Sequence, residues 1–175
     1  FRVVVGSHQP SPSMVGRTKQ LDAAPKGPDD RTLKANPRVQ SDRAEVRELS
    51  ERLGGAGDPL QKFQAFYGHV AALPFQNGPG QTAVDCLRNG GGDDMGKSRL
   101  LAALCRSQGV PARVVVGIVL NPNAAPTVHR WVEAWLKAPD RPEPSWVPAC
   151  PTFGHFGHRR WPSNYLVVRI GDGPI

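Results

Sequence analysis

No stretch of this chain approaches the roughly 20 consecutive apolar residues that a membrane-crossing helix needs, so no span is expected within it. Cysteine is scarce: Cys86, Cys105 and Cys150 are the only three in 175 residues, with no CxxC pair among them. That excludes a disulfide framework and leaves at least one thiol free. No run of five Lys/Arg occurs, and basic and aromatic residues do not interleave, although Lys and Arg outnumber Asp and Glu by 22 to 15 for a net charge of +7. Acidic residues sit among the basic ones from 29 to 52. This is a basic but ordinary surface, and nucleic acid is not an expected partner. There is no internal repeat. The glycine run Gly90-Gly91-Gly92 lacks a following Gly-Lys-Ser/Thr at phosphate-loop spacing, and Gly96-Lys97-Ser98 falls inside a predicted helix, so no nucleotide site is expected.

What is present is globular. Apolar residues make up 39% and charged residues 21%, and the length suits one domain with a real core. Nineteen Gly and 18 Pro place a sizeable share of the chain in loops. The β-branched run 1–5 reads as a strand. Residues 7–37 are polar and Pro-rich and read as an arm wrapped over the surface, leaving a domain at 38–175. Asp42 and Glu45 have the form of a capping box, opening a helix with Val46, Leu49 and Leu53 and closing at Gly54-Gly55. Asp58-Pro59 opens a second helix, whose stripe of Leu60, Phe63, Phe66, Tyr67 and Val70 is core. Pro74 ends it, and His69 is expected on its surface. After a short segment at 82–87, Asp93 or Asp94 caps a third helix running to Gln108, with Leu100, Leu101, Leu104 and Cys105 inward and Gly109 as its stop.

Strands follow. The run 113–120 reads as a strand buried on both faces. Residues 128–136 alternate, with Val128, Val132, Ala134 and Leu136 on one face and His129, Trp131, Glu133 and Trp135 on the other. Two more strands are expected near Trp146-Val147 and at 165–170. Helices first and strands afterwards predict an α+β fold, an antiparallel sheet against a central helix.

Three of these segments, in order, resemble the core of transglutaminase-like domains. They are Gly92-Asp-Asp94-Met-Gly-Lys-Ser through Cys105-Arg-Ser-Gln-Gly-Val-Pro-Ala-Arg113, then Val128-His129-Arg-Trp-Val-Glu-Ala-Trp135, then Trp146-Val-Pro-Ala-Cys150-Pro-Thr152. The resemblance covers roughly residues 35–170 and implies the papain-like cysteine-proteinase fold. It also places Asp94 where the family has its nucleophilic cysteine, at the N-terminus of the central helix. His129 is the base position, and Cys150 stands where the family has its aspartate. Cys and Asp have changed places. The tail Trp161-Pro-Ser-Asn-Tyr-Leu-Val-Val-Arg-Ile-Gly-Asp172 resembles the end of the inactive transglutaminase domains of bacterial seven-transmembrane proteins. That likeness implies an extracytoplasmic (periplasmic) domain joined to a membrane partner, with a peptide or protein as its ligand.

The chemistry follows from the exchange. A helix N-terminus lowers a thiol's pKa and offers backbone N–H groups to an oxyanion. A carboxylate there is stabilised and so becomes a poorer nucleophile. The expected reading is a domain that has lost acyl transfer and binds or senses. The alternative is a cysteine hydrolase or acyltransferase running in reverse, with Cys150 as nucleophile, His129 as base and Asp94 orienting it. Asp93, Trp131 and Trp146 are the candidate binding residues. Trp131 and Trp135 either line a cleft beside His129 or pack beneath a loop. Cys150, His155, His158 and His129 form no usual zinc spacing, and neither a metal nor a cofactor is expected. Cys105 reads as a core residue, and Cys86 has no nameable partner.

Overall fold

A computed structural model of the chain describes residues 27–78 and 81–171. The predicted strand at 1–5 and the arm as far as residue 26 lie outside the described residues. Residues 27–37 carry one 3₁₀ turn, Asp30–Thr32, whose Thr32 is buried.

The first helix, α1 (Ala44–Gly54), corrects the sequence expectation. Its N-cap is Arg43, with no side-chain cap, so the box expected of Asp42 and Glu45 does not form. The Asn36 side chain accepts from the backbone N–H groups of Arg38 and Val39 (2.9 and 2.8 Å) and pins the buried Val39. The turn that follows delivers the chain to the helix one residue late. Glu45 instead pairs with Arg88 at 2.9 Å. In α2 (Pro59–Ala72), Asp58 and Gln61 make a reciprocal capping box, and Phe63, Phe66 and Val70 are buried as the stripe required. His69 is half-buried. The 82–87 segment is a short helix, α3 (Ala83–Arg88), nucleated by a second capping box between Thr82 and Asp85.

The central helix is α4 (Asp94–Ser107), and it is buried on all sides from Gly96 to Arg106. Asp93 is its N-cap, accepting from Gly96 N–H at 2.8 Å, which makes Asp94 the first helical residue. Three cations lie inside this helix, and burying a charge is costly unless it is hydrogen-bonded. Each is satisfied by backbone oxygen. Lys97 Nζ donates to Leu73 O (2.8 Å), Arg99 to Gln81 O (2.7 Å), and Arg106 to Ala112 O and Lys34 O (both 3.0 Å). These bonds tie α4 to α2, to the α3 entry, to the sheet and to the end of the arm.

The sheet has five strands: β1 (Ala112–Asn121), β2 (Ala124–Leu136), β3 (Ser145–Cys150), β4 (His155–Phe156) and β5 (Tyr165–Ile170). Their spatial order is β4-β3-β2-β1-β5, every pair antiparallel. Val114, Val132, Ala134, Val147 and Ala149 join the helices in the main core. Val115, Trp131 and Cys150 make a smaller cluster, closed by Trp161 and Tyr165. One expectation is corrected here: β1 is buried only through Gly117, and on β2 Val128 is exposed as well, because the β1–β2 hairpin runs past the helix layer. Strand β4 and a 3₁₀ turn at His158–Arg160 were not anticipated. Among the described residues, no helix is long and apolar enough to cross a membrane.

Candidate functional site

The sheet register and the end of α4 bring three side chains together. His129 lies opposite Gly117 and Trp131 opposite Val115 across the β1–β2 ladder. Ala149 lies opposite Val132, so the strand's alternation puts the next residue, Cys150, on the same face as Trp131. Asp94, on the first turn of α4, reaches the same point from the helix. His129 Nε2 is 3.1 Å from Cys150 Sγ, and His129 Nδ1 is 3.5 Å from Asp94 Oδ2. The second distance is that of a charge contact rather than of a tight hydrogen bond.

Each member has further partners. Arg130 Nη1 lies 3.4 Å from the same oxygen, Asp94 Oδ2. Cys150 Sγ receives Phe153 N–H at 3.3 Å and Tyr165 O–H at 3.7 Å. The Phe153 ring stacks on His129 with centroids 4.4 Å apart, and Tyr165 meets the imidazole edge-on. Cys150 is 0% exposed and His129 2%.

Burial sets the protonation states. Desolvation carries the His129 pKa down to about 4, helped by the positive charge of Arg130 and by His155. Desolvation also raises the Cys150 thiol. Hydrogen bonds from Phe153, Tyr165 and Thr152 pull it back, and the Asp94 carboxylate pushes it up again. Asp94 is raised by burial and by Asp93, against Arg130. At neutral pH the arrangement therefore holds a neutral thiol on a neutral imidazole. A thiolate–imidazolium pair, the working form of a cysteine nucleophile, is disfavoured on both partners.

The candidate binding residues are largely committed elsewhere. Trp131 is 1% exposed and packs against Trp161 and Tyr165, so it offers a ligand no surface; of its two possible roles, it takes packing. The Asp93 carboxylate is the α4 cap. Trp146 is half-buried, with the Arg113 guanidinium 3.9 Å over its ring and Trp135 against its edge. His155 packs on Trp161 and Tyr165, while His158 lies 3.3 Å from Ser145 Oγ. Among the described residues, no group of three or more His, Cys, Asp or Glu is arranged to hold a metal ion. Cys86 and Cys105 are free buried thiols; burial pushes Cys86 up to about 12 and raises Cys105 as well.

Sequence reasoning missed Arg130, Phe153 and Tyr165 as parts of this site. Arg130 carried a signal, since it adjoins His129 in β2. For Phe153 the only hint was Gly154 and Gly157, whose positive φ values of 75° and 78° let the loop fold back over the imidazole. Two concavities of about 500 and 550 Å³ lie along α2, sharing Leu60, Ala138 and Pro139, and neither is lined by Asp94, His129 or Cys150.

Comparison with known proteins agrees with this fold. The model of the transglutaminase-like superfamily matches residues 47–151. A candidate cysteine protease from Cytophaga hutchinsonii superposes with a TM-score of 0.63 at 21% identity, over 82% of this chain and 47% of that one. The periplasmic domain of TgpA from Pseudomonas aeruginosa superposes with a TM-score of 0.51 at 26% identity, over 70% of this chain and 46% of that one. The chain thus covers about half the length of either structure. No curated protein matches it.

Proposed function

The chain belongs to the transglutaminase-like superfamily, and from that premise we propose that it is a domain without acyl-transfer activity that works as an extracytoplasmic module binding or sensing a peptide or protein. The observation that carries this reading is the state of the thiol beside His129. Cys150 is 0% exposed, its pKa is raised, and it lies on β3 and not at the start of α4, where Asp94 stands. An amide carbonyl cannot reach Sγ without displacing Phe153. Carboxylate attack by Asp94 would require a weakly nucleophilic carboxylate to open an unactivated amide. The TgpA periplasmic domain among the structural neighbours supports the extracytoplasmic location.

One observation favours a second reading. Sγ lies 3.1 Å from His129 and receives donors from Phe153 and Tyr165, a setting that would hold a thiolate if the loop opened. In that case Cys150 attacks, His129 takes the proton and Asp94 orients the ring. Iodoacetamide labelling across pH, with mass-spectrometric assignment of the site, separates the two. Under the first reading Cys150 labels about 100-fold more slowly than free cysteine at pH 7, because labelling waits on local opening. Rapid labelling below about pH 7, slowed by Asp94→Ala or His129→Ala, establishes the reversed triad instead.

A further inference from the structure

We infer that residues 152–154 form a hinged flap, with Phe153 as its lid, that shuts the Cys150–His129 pair away from solvent and opens without unfolding of the sheet. The flap governs access to the pair under either reading of its chemistry, and so goes beyond both. It is pinned on each side. On the near side Cys150 lies in β3 opposite His155, and the buried Pro151 stiffens the exit with its fixed φ. On the far side Phe156 pairs with Ala149, and its ring packs on Phe63 and Tyr67 of α2 with centroids 5.2 and 5.0 Å away. Gly157 N–H then donates to Pro148 O at 2.9 Å. Strand β4 is thereby anchored in the main core, and only the tip before it is left to move.

The lid is not a core residue. Phe153 belongs to neither apolar cluster, its ring is 52% exposed, and among the described residues it stacks on the His129 imidazole alone. Behind it His129 and Cys150 are almost wholly enclosed. Hydrophobic stabilisation scales with the apolar area removed from water, so a half-exposed ring loses little of it by swinging outward. The imidazole it covers would meet solvent at once.

What holds the tip down is weak, and one group opposes it. Closure keeps the stack on His129, the turn bond from Gly154 N–H to Cys150 O (3.0 Å) and the donation of Phe153 N–H to Cys150 Sγ (3.3 Å). Sulfur is a weak acceptor, so the last of these binds less firmly than a bond to oxygen. Against them, Thr152 Oγ1 is buried with no hydrogen-bond partner. A stranded hydroxyl carries the full cost of its desolvation, and water relieves that cost when the tip lifts. The closed form is therefore only narrowly preferred, as expected of a segment that opens locally. Gly154 supplies the hinge. Its φ is 75°, and a Cβ there would meet nothing within 4 Å, so the backbone conformation and not crowding calls for glycine. Glycine passes between left-handed and extended backbone without the resistance a side chain would add.

The experiment follows iodoacetamide labelling of the full chain at pH 7.5, assigned site by site by mass spectrometry. Cys86 and Cys105, free thiols that are both 0% exposed, report general unfolding in the same sample. Phe153→Ala should speed the labelling of Cys150 by about tenfold or more and leave Cys86 and Cys105 unchanged. Thr152→Val replaces the stranded hydroxyl with a methyl of similar shape, so it should hold the flap shut and slow Cys150 by about threefold or more. The two variants move one rate in opposite directions, which a general loss of stability cannot do. Equal acceleration of all three cysteines in Phe153→Ala would mean that the ring supports the fold as a whole, and overturns the flap. An unchanged Cys150 rate in Phe153→Ala overturns it as well, as does a rate in Thr152→Val that is unchanged or faster.

Discussion

Replacing Gly117 with alanine tests the packing that supports the His129 face. An added methyl at residue 117 would meet the backbone carbonyl of Leu166 in β5 and the six-membered ring of Trp131, whose Cζ3 would lie 2.6 Å away. Both obstacles are hard to move. Trp131 is fully enclosed among Val115, Trp161 and Tyr165, and the Leu166 oxygen belongs to a strand already paired with β1. Overpacking of a filled core costs about 1–3 kcal/mol, and a clash with backbone belongs at the upper end, near 3 kcal/mol. For a domain of this size that lowers Tm by about 6–12 °C. Urea unfolding followed by tryptophan fluorescence and by circular dichroism measures it directly. Trp131→Leu makes room for the new methyl, so the double variant should be more stable than the sum of the single losses by at least about 0.5 kcal/mol. A Gly117→Ala cost below about 0.5 kcal/mol, or strict additivity with Trp131→Leu, would refute the reasoning.

Two further outcomes are expected. His129, His69 and His158 all have pKa values lowered chiefly by burial, His129 from 6.5 to about 4. The unfolded chain therefore binds more protons than the folded one between about pH 6.5 and 4, so stability present at neutral pH is lost as pH falls through that window. His129 alone contributes on the order of 3 kcal/mol. The raised Asp94 works in the opposite sense at the acid end. Urea midpoints at pH 7.5 and 5 check this, and His129→Gln should flatten the difference; an unchanged pH dependence in that variant rejects the assignment. Lys97→Met leaves the carbonyl of Leu73 without its 2.8 Å donor at the end of α2 and should cost about 1–3 kcal/mol in thermal or urea unfolding. A neutral or stabilising result would mean that water satisfies that carbonyl.

Helices α1, α2 and α4 and their order were legible because each carries local signals: Asp58-Pro59, the stripe from Phe63 to Val70, and the glycines after α1 and α4; α3 was read only as a short segment. Strands β1, β2, β3 and β5 were legible from apolar runs or alternation, and Tyr165–Ile170 was read to the residue. Misreadings arose where a distant contact decides. Whether Asp42 or Arg43 precedes α1 depends on how Asn36 holds Val39, and nothing in the 42–45 spacing reports that. Alternation put Val128 on one face with Val132, Ala134 and Leu136, but it does not say where along that face the helix layer stops. The site was legible in its three named residues because the motifs fix their register against α4. Its covering was not. Phe153 reaches His129 only because a loop with two left-handed glycines doubles back, and Tyr165 reaches Cys150 only through the β1–β5 pairing.

The exchange of Cys and Asp leaves the residue types unchanged and inverts the electrostatics at each place. At the start of α4, partial positive charge from unpaired N–H groups would favour a thiolate. The side chain there is Asp94, whose charge is already balanced by Arg130, and Asp93 takes one of the helix's free donors. On β3 no helix dipole is aimed at the thiol. Cys150 is surrounded by Trp131, Tyr165 and Phe153, and the Asp94 carboxylate beyond the imidazole pushes its pKa up. That carboxylate would need to draw a proton onto His129 to ionise the thiol. Yet Arg130 lies on the same carboxylate at 3.4 Å and acts on the ring as well, lowering its pKa. Arg130 therefore works against the one interaction that could activate Cys150. Removing it should favour the imidazolium: in Arg130→Met, the pH at which Cys150 labelling accelerates should fall relative to the parent chain, with protection restored by Arg130→Lys. An unshifted labelling profile in Arg130→Met would show that burial alone, and not the balance of charge on Asp94, keeps the thiol neutral.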